Sequence, residues 1–142
     1  MAIKKKLKRI LLIDDSEADN FFHARVIRKY GCAEEIIIRE GGQEALDYLR
    51  LAVDGIFPQP DLIFLDINMP GMNGWEFLEE YENLEIGQKA RIVIVMLTTS
   101  LNPNDSEEAK KRGTLNKFMN KPLTEKMLED VIKEHFKECF ED

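Results

Sequence analysis

Unbroken runs of aliphatic side chains punctuate the chain: Ile10 to Ile13, Ile36 to Ile38 within Glu35 to Arg39, Leu62 to Leu65, and Ile92 to Leu97. Short runs bounded by acids or turn formers suit strands buried on both faces, as in a parallel sheet. Between the runs, apolar positions recur at helical spacing. Ser16 and Asp19 have the spacing of a capping box, and the helix they open carries Phe21, Phe22, Val26 and Ile27 and stops at Gly31. Gly41-Gly42 opens a short helix with Ala45, Leu46 and Leu49 on one face. A loop over roughly residues 53–60, with Gly55, Pro58 and Pro60, leads into the Leu62 strand. A third helix, roughly Gly74 to Asn83, carries Trp75, Phe77, Leu78 and Tyr81. Asn102 before Pro103 pairs an N-cap with a first helical residue, and that helix ends near Gly113. Lys117 to Asn120 reads as a short fifth strand closed by Lys121-Pro122. A last helix follows, with Leu123, Met127, Leu128, Val131, Ile132, His135, Phe136 and Cys139 at helical spacing.

Strands alternating with helices five times predict an α/β fold, a doubly wound parallel sheet with helices on both faces. Right-handed crossovers limit the topologies, and the flavodoxin-like strand order 2-1-3-4-5 is the natural choice, with its switch point between strands 1 and 3. Strand 1 ends at Asp14-Asp15 and strand 3 at Asp66. That order therefore sets three carboxylates side by side at the carboxyl edge, where open α/β sheets place their sites.

Composition narrows the reading. A chain of 142 residues, 33% charged and 44% hydrophobic, suits one globular domain with a sizeable core. A net charge of -7 argues against nucleic acid as a direct partner. The basic run Lys4, Lys5, Lys6, Lys8 and Arg9 is expected to be a solvated tail over about residues 1–8. No segment approaches the roughly 20 apolar residues of a membrane span, and no signal peptide opens the chain, so no membrane partner is expected. Cys32 and Cys139 lack metal-ligand spacing and are read as free thiols of a cytoplasmic protein.

Asp66 alone would pass for a turn former. Asp66, Asn68 and Gly71 also match the first, third and sixth positions of an EF-hand loop, but Pro70 takes the fifth and Phe77 the twelfth, where a bidentate Glu belongs. Three clustered carboxylates repel, raising at least one pKa, and a hard divalent cation relieves the conflict. Mg²⁺ keeps waters and few carboxylates, so Asp15, Asp66 and the backbone carbonyl of Asn68 are the expected direct ligands, with Asp14 acting through water. Its open positions suit a phosphoryl oxygen, and Asp66 can serve as the nucleophile. Thr98 closes strand 4 and Lys121 closes strand 5, adding a hydroxyl and a cationic donor at the same edge.

Asp14-Asp15, the stretch from Leu65 to Gly74 (Leu-Asp-Ile-Asn-Met-Pro-Gly-Met-Asn-Gly), Leu97-Thr98-Thr99-Ser100 and Lys121-Pro122 together resemble the response-regulator receiver domain of two-component signalling. The resemblance covers essentially the whole chain. It implies a single stand-alone receiver domain over residues 1–142, chemotaxis-regulator-like, with no output domain. It implies that Asp66 accepts a phosphoryl group from a histidine kinase or histidine phosphotransfer protein. It also implies Mg²⁺ at Asp14, Asp15, Asp66 and Asn68, a salt-bridging Lys121, Thr98 as the switch hydroxyl and Phe118 as the switch aromatic. Output then comes from binding a downstream protein, a phosphorylation-dependent homodimer included, or from passing the phosphoryl group on, not from turnover of a substrate. The long loop and the Thr-Thr-Ser segment resemble the small regulators that serve phytochrome-type kinases. The stretch from Gly113 to Lys121 holds one residue more than the family pattern, which bears on the register of strand 5.

Other classes fit less well. A haloacid-dehalogenase-type phosphohydrolase needs an Asp two residues after its nucleophile; here Ser16 follows the Asp-Asp pair and Asn68 follows Asp66 at that offset. A flavin-binding flavodoxin needs a Ser/Thr/Gly phosphate loop after strand 1, which is missing. An interaction module independent of phosphorylation would not need the complete site.

Overall fold

A computed structural model of the chain describes residues 3–89 and 92–141. Five parallel strands form one sheet in the order β2-β1-β3-β4-β5. The strands are β1 (Leu7–Ile13), β2 (Ala33–Arg39), β3 (Leu62–Leu65), β4 (Val93–Thr98) and β5 (Lys117–Asn120). The helices are α1 (Glu17–Tyr30), α2 (Gly42–Arg50), α3 (Gly74–Glu82), the single turn α4 (Ile86–Lys89), α5 (Pro103–Lys111) and α6 (Glu125–His135), followed by a 3₁₀ turn at Lys137–Phe140. Order and alternation are those expected from the hydrophobic pattern. The turn α4 was not expected, because four residues carry no periodic signal.

Because successive strand residues face opposite sides, each run feeds two cores. Ile10, Leu12, Leu62, Phe64, Val95 and Leu97 pack under α1 and α6. Leu11, Ile13, Ile63, Leu65, Ile94 and Met96 pack under α2 and α3. This double burial is why the strands read as continuous apolar runs.

Caps set the helix ends. The Ser16 hydroxyl accepts from the Asp19 N–H, and Gly31 closes α1 in the left-handed conformation at φ 74°. Asn73 and Glu76 form a reciprocal capping box at the start of α3. Asn102 caps α5 with Pro103 at its first turn, as expected.

Three local expectations change. Phe21 and Phe22 of α1 are 67% and 47% exposed, while Asn20, His23, Ala24 and Ile27 form the buried face. The basic run is not a free tail: β1 begins at Leu7, which is buried, and the backbone N–H groups of Lys4 and Lys5 donate to the Cys139 carbonyl at 2.6 and 3.0 Å. Residues 1 and 2 of the expected tail lie outside the described residues. The last helix also ends earlier, at His135, which sits at its margin; Phe136 and Cys139 are buried beyond it. Cys32 and Cys139 are free and share one core, where burial pushes both thiols up, Cys32 to about 12.

The loop before β3 holds a two-residue hairpin in which Val53 and Ile56 exchange both backbone hydrogen bonds, with Asp54 and Gly55 at positive φ. Its length is thus absorbed as ordered turn structure. At the other end of β3, Gly74 donates its N–H to the Ile67 carbonyl at 2.8 Å. A Cβ there would lie 2.5 Å from the Asp66 carbonyl oxygen and 3.0 Å from the Ile67 Cα. Only glycine lets α3 start this close to the strand end.

Gly74→Ala is therefore expected to lower stability by about 1–3 kcal/mol in urea unfolding, the usual range for forcing atoms into a packed site. Gly113→Ala, where an added Cβ meets nothing within 4 Å, should change it by less than about 0.5 kcal/mol. Equal losses in the two variants would refute the close approach.

Candidate functional site

The strand parity that splits the cores also aims the site. Leu12 and Phe64 point under α1 and α6, so Asp14 and Asp66, two residues further along each strand, lean to that same side. Met119 of β5 shares that face, and so does Lys121 two residues later. Register reinforces this, because Ile13 pairs with Leu65 and Thr98 with Asn120. The Lys121 backbone N–H donates to the Thr98 carbonyl at 2.8 Å, so strand 5 holds its alignment despite the extra residue before it.

Asp14, Asp15 and Asp66 each offer a carboxylate oxygen, and these atoms lie within 4.8 Å of one another. Asp14 and Asp66 are buried and Asp15 is exposed. The juxtaposition expected from strand order is present. Burial first, and then the charge of Asp14, push the Asp66 carboxyl up to about 6; Lys121, the Ile67 N–H and the Thr98 hydroxyl pull the other way. Repulsion among the acids predicts a raised pKa, and it is raised, with desolvation the larger cause.

Lys121 is held more tightly than expected. Its Nζ lies 2.6 Å from Asp14 Oδ2, 2.8 Å from Asp19 Oδ2 and 3.7 Å from Asp66 Oδ2. Burial alone would depress the ammonium pKa, but the bonds to Asp14 and Asp19, with the charge of Asp66, keep it above the ordinary lysine range. The sequence marks Asp19 only as a helix-start residue. Its position at the third residue of α1 carried a second signal, since the first turn of that helix borders the Asp14-Asp15 edge. Hydrogen bonding to Lys121 holds its carboxyl below the usual range, against the opposing effect of burial.

Supporting groups lock this arrangement. Asp14 Oδ1 accepts from the Ser16 N–H at 2.9 Å, and the Asn20 amide donates to the Asp14 carbonyl at 2.8 Å. His23 is buried one turn further along, and desolvation, followed by the charge of Lys121, holds its pKa below the ordinary value. Asn20 and His23 explain why the phenylalanines of α1 turn outward: the polar underside of the helix faces the site. Thr98 is fully buried, and its hydroxyl oxygen accepts from the Ser100 N–H at 3.1 Å. Phe118 is half-buried on β5, opposite Met96. Asn68 is exposed on the loop after β3.

Asp14, Asp19 and Asp66 thus surround one ammonium and Asp15 lies against Asp14 and Asp66, so four carboxylates and one ammonium leave three negative charges in excess. All-oxygen donors, one of them a buried acid with a raised pKa, fit a hard divalent cation. Metal-free protein carries the cost of that excess. The folded pKa of Asp66 lies above its unfolded value of 3.8, so folding favours the protonated acid. The penalty is absent below about pH 4, grows as pH rises through 4 to 6, and is complete above that. Asp66→Asn is expected to stabilise the protein in chelator at pH 7.5 by up to about 3 kcal/mol, with the gain shrinking toward pH 4. A gain that does not depend on pH, or a loss, in denaturant titrations would contradict this.

Comparison with known proteins agrees with the geometry. The response regulator receiver domain model matches residues 10–133. A two-component response regulator from Cytophaga hutchinsonii superposes with a TM-score of 0.83 at 30% identity, covering 94% of this chain and 99% of that one. Response regulator Rcp1 from Synechocystis sp. is 37% identical over 102 residues, 69% of this chain and 66% of that protein. The Mn²⁺-bound form of Rcp1 superposes with a TM-score of 0.68 at 32% identity, covering 89% of this chain and 88% of that one. The bacteriophytochrome response regulator AtBRR gives a TM-score of 0.75 at 27% identity over 92% of this chain and 94% of that one. Among the described residues no helix is long and apolar enough to cross a membrane. The chain belongs to the response-regulator receiver domain family, the signalling domain of two-component systems.

Proposed function

We propose that the chain is a cytoplasmic phosphoacceptor in which Asp66 takes a phosphoryl group from a histidine kinase or histidine phosphotransfer protein. The P–N bond of the donor phosphohistidine breaks as an Asp66 Oδ–P bond forms, and the imidazole leaves. The observation that carries this reading is the Asp14, Asp15 and Asp66 oxygen cluster with the Lys121 ammonium 3.7 Å from Asp66. Asp14, Asp15, Asp66 and the Asn68 carbonyl would hold Mg²⁺, which when bound supplies positive charge against the transferring phosphoryl oxygens. Lys121 offers its ammonium to one of those oxygens and Thr98 its hydroxyl to another. With its pKa raised only to about 6, Asp66 is mostly ionised at physiological pH and can attack.

The switch in this reading runs through Thr98 and Phe118. A phosphoryl oxygen draws the Thr98 hydroxyl and its loop inward, and the Phe118 ring turns further under α5. The ring is already half-buried, so completing its burial is worth about 1 kcal/mol, on the order of a fivefold population shift. The surface of α5, β5 and α6 then binds a downstream protein or a second phosphorylated copy. Similarity to AtBRR, a bacteriophytochrome response regulator, supports a phytochrome-type kinase as the donor.

A small phosphodonor with Mg²⁺ should add one phosphoryl group by intact mass, and Asp66→Asn or chelator should abolish the gain. Labelling that persists in Asp66→Asn would end the assignment. For the switch, Thr98→Ala should still be labelled at Asp66 yet lose at least about fivefold in phosphorylation-dependent binding or dimerisation, read by sedimentation. If Thr98→Ala and Phe118→Ala both leave that dependence intact, the switch lies elsewhere.

A further inference from the structure

An ammonium has three N–H donors, and in this site two of them are spoken for. One reaches Asp14 Oδ2 at 2.6 Å on the β1 side, and one reaches Asp19 Oδ2 at 2.8 Å on α1. The remaining direction faces Asp66, whose Oδ2 at 3.7 Å is beyond hydrogen-bond reach. The Lys121 side chain is 8% exposed and that of Asp19 is 41% exposed, so Asp19 closes the site over the ammonium from the solvent side. The Asp19 backbone is held in place: its N–H donates to the Ser16 hydroxyl, and the Ser16 N–H in turn donates to the other oxygen of Asp14. Ser16, Asp14, Lys121 and Asp19 therefore form a closed ring of hydrogen bonds joining the first turn of α1 to the end of β5.

We infer that Asp19 is a positioning residue that holds the Lys121 ammonium short of Asp66, with its third N–H directed at the place a phosphoryl oxygen would occupy. This rests on the reading of Asp66 as phosphoacceptor. Without Asp19 the ammonium has one anchor fewer and is free to close the 3.7 Å gap onto the Asp66 carboxylate. Either movement, swinging away or pairing with the nucleophile, slows transfer. The role requires an acceptor oxygen at position 19. It therefore distinguishes alanine, which has none, from asparagine, whose amide oxygen can still accept.

The test measures labelling of Asp66 over time by intact mass, at saturating small phosphodonor and Mg²⁺. Asp19→Ala is expected to be about tenfold slower, the size of one charge-assisted hydrogen bond, with the half-saturating donor concentration little changed. Asp19→Asn is expected to stay within about threefold of wild type, since a neutral acceptor keeps part of that bond. In a Lys121→Ala background, adding Asp19→Ala should slow labelling no further. A second readout uses metal-free protein without turnover: mapping of Lys121 acylation by an amine-reactive ester should show faster modification in Asp19→Ala, because the cover over the ammonium is gone. A wild-type rate in Asp19→Ala overturns the inference, as does a loss in Asp19→Asn as large as in Asp19→Ala. Further slowing in the Lys121→Ala background, or unchanged acylation of Lys121, also overturns it. Wild-type protein that gains no phosphoryl mass, or Asp66→Asn that does, overturns the Asp66 reading itself and is told apart by that control.

Discussion

A single buried cation holds together the edge on which everything else depends. Lys121 and Asp14 are 107 residues apart, and β3 and β4 lie between their strands, yet Nζ and Oδ2 are 2.6 Å apart with both side chains almost fully buried. A pair so enclosed is worth little compared with an apolar pair of the same shape. Removing one member, however, strands a charge and costs about 3–5 kcal/mol. The pairing therefore specifies geometry more than it adds stability. It brings the end of β5 over the end of β1 and fixes where the cation stands relative to Asp66.

The rest of the carboxyl edge is arranged around that constraint. Carboxylates outnumber the ammonium, so the site is electrostatically unsatisfied, and burial first, with the charge of Asp14 second, raises the pKa of Asp66. A site built this way has an intrinsic appetite for positive charge. The frame around it is stiff: the strands are packed on both faces, Gly74 lets α3 start against the strand end, and α1 is capped by Ser16. Under the proposed phosphoryl transfer, stiffness matters because the transferring group rewards only groups already in place. Beside this frame, Phe118 is half-buried on β5, and Thr99 and Leu101, just past the end of β4, are exposed.

Helix α1 illustrates how function overrides a simple hydrophobic rule. Its aromatic pair Phe21 and Phe22 faces solvent, while Asn20 and His23 occupy buried positions. The helix lies over the acidic edge, and a polar underside there can bond the Asp14 carbonyl and border the carboxylates, which a phenylalanine could not. Apolar periodicity identified the helix and its span correctly. It did not identify which face was buried, because that depends on what the helix covers.

Fold class, strand order and the identity of the clustered acids were legible in the chain because each has a local cause. Double burial makes continuous apolar runs, caps and glycines mark the ends, and the crossover rule leaves one simple topology that gathers Asp14, Asp15 and Asp66. Thr98 and Lys121 were likewise readable as strand ends. Three things were decided only by tertiary structure. Whether the basic run hangs free or is tied to the Cys139 carbonyl depends on where the chain's other end packs. Which cause dominates the Asp66 pKa depends on how deeply the carboxyl is buried, a three-dimensional quantity. And Asp19 becomes a partner of Lys121 only because α1 and the end of β5 meet over one edge, although the two residues are 102 apart in sequence. Local pattern encodes which residues end an element; distances between elements set which of those residues touch.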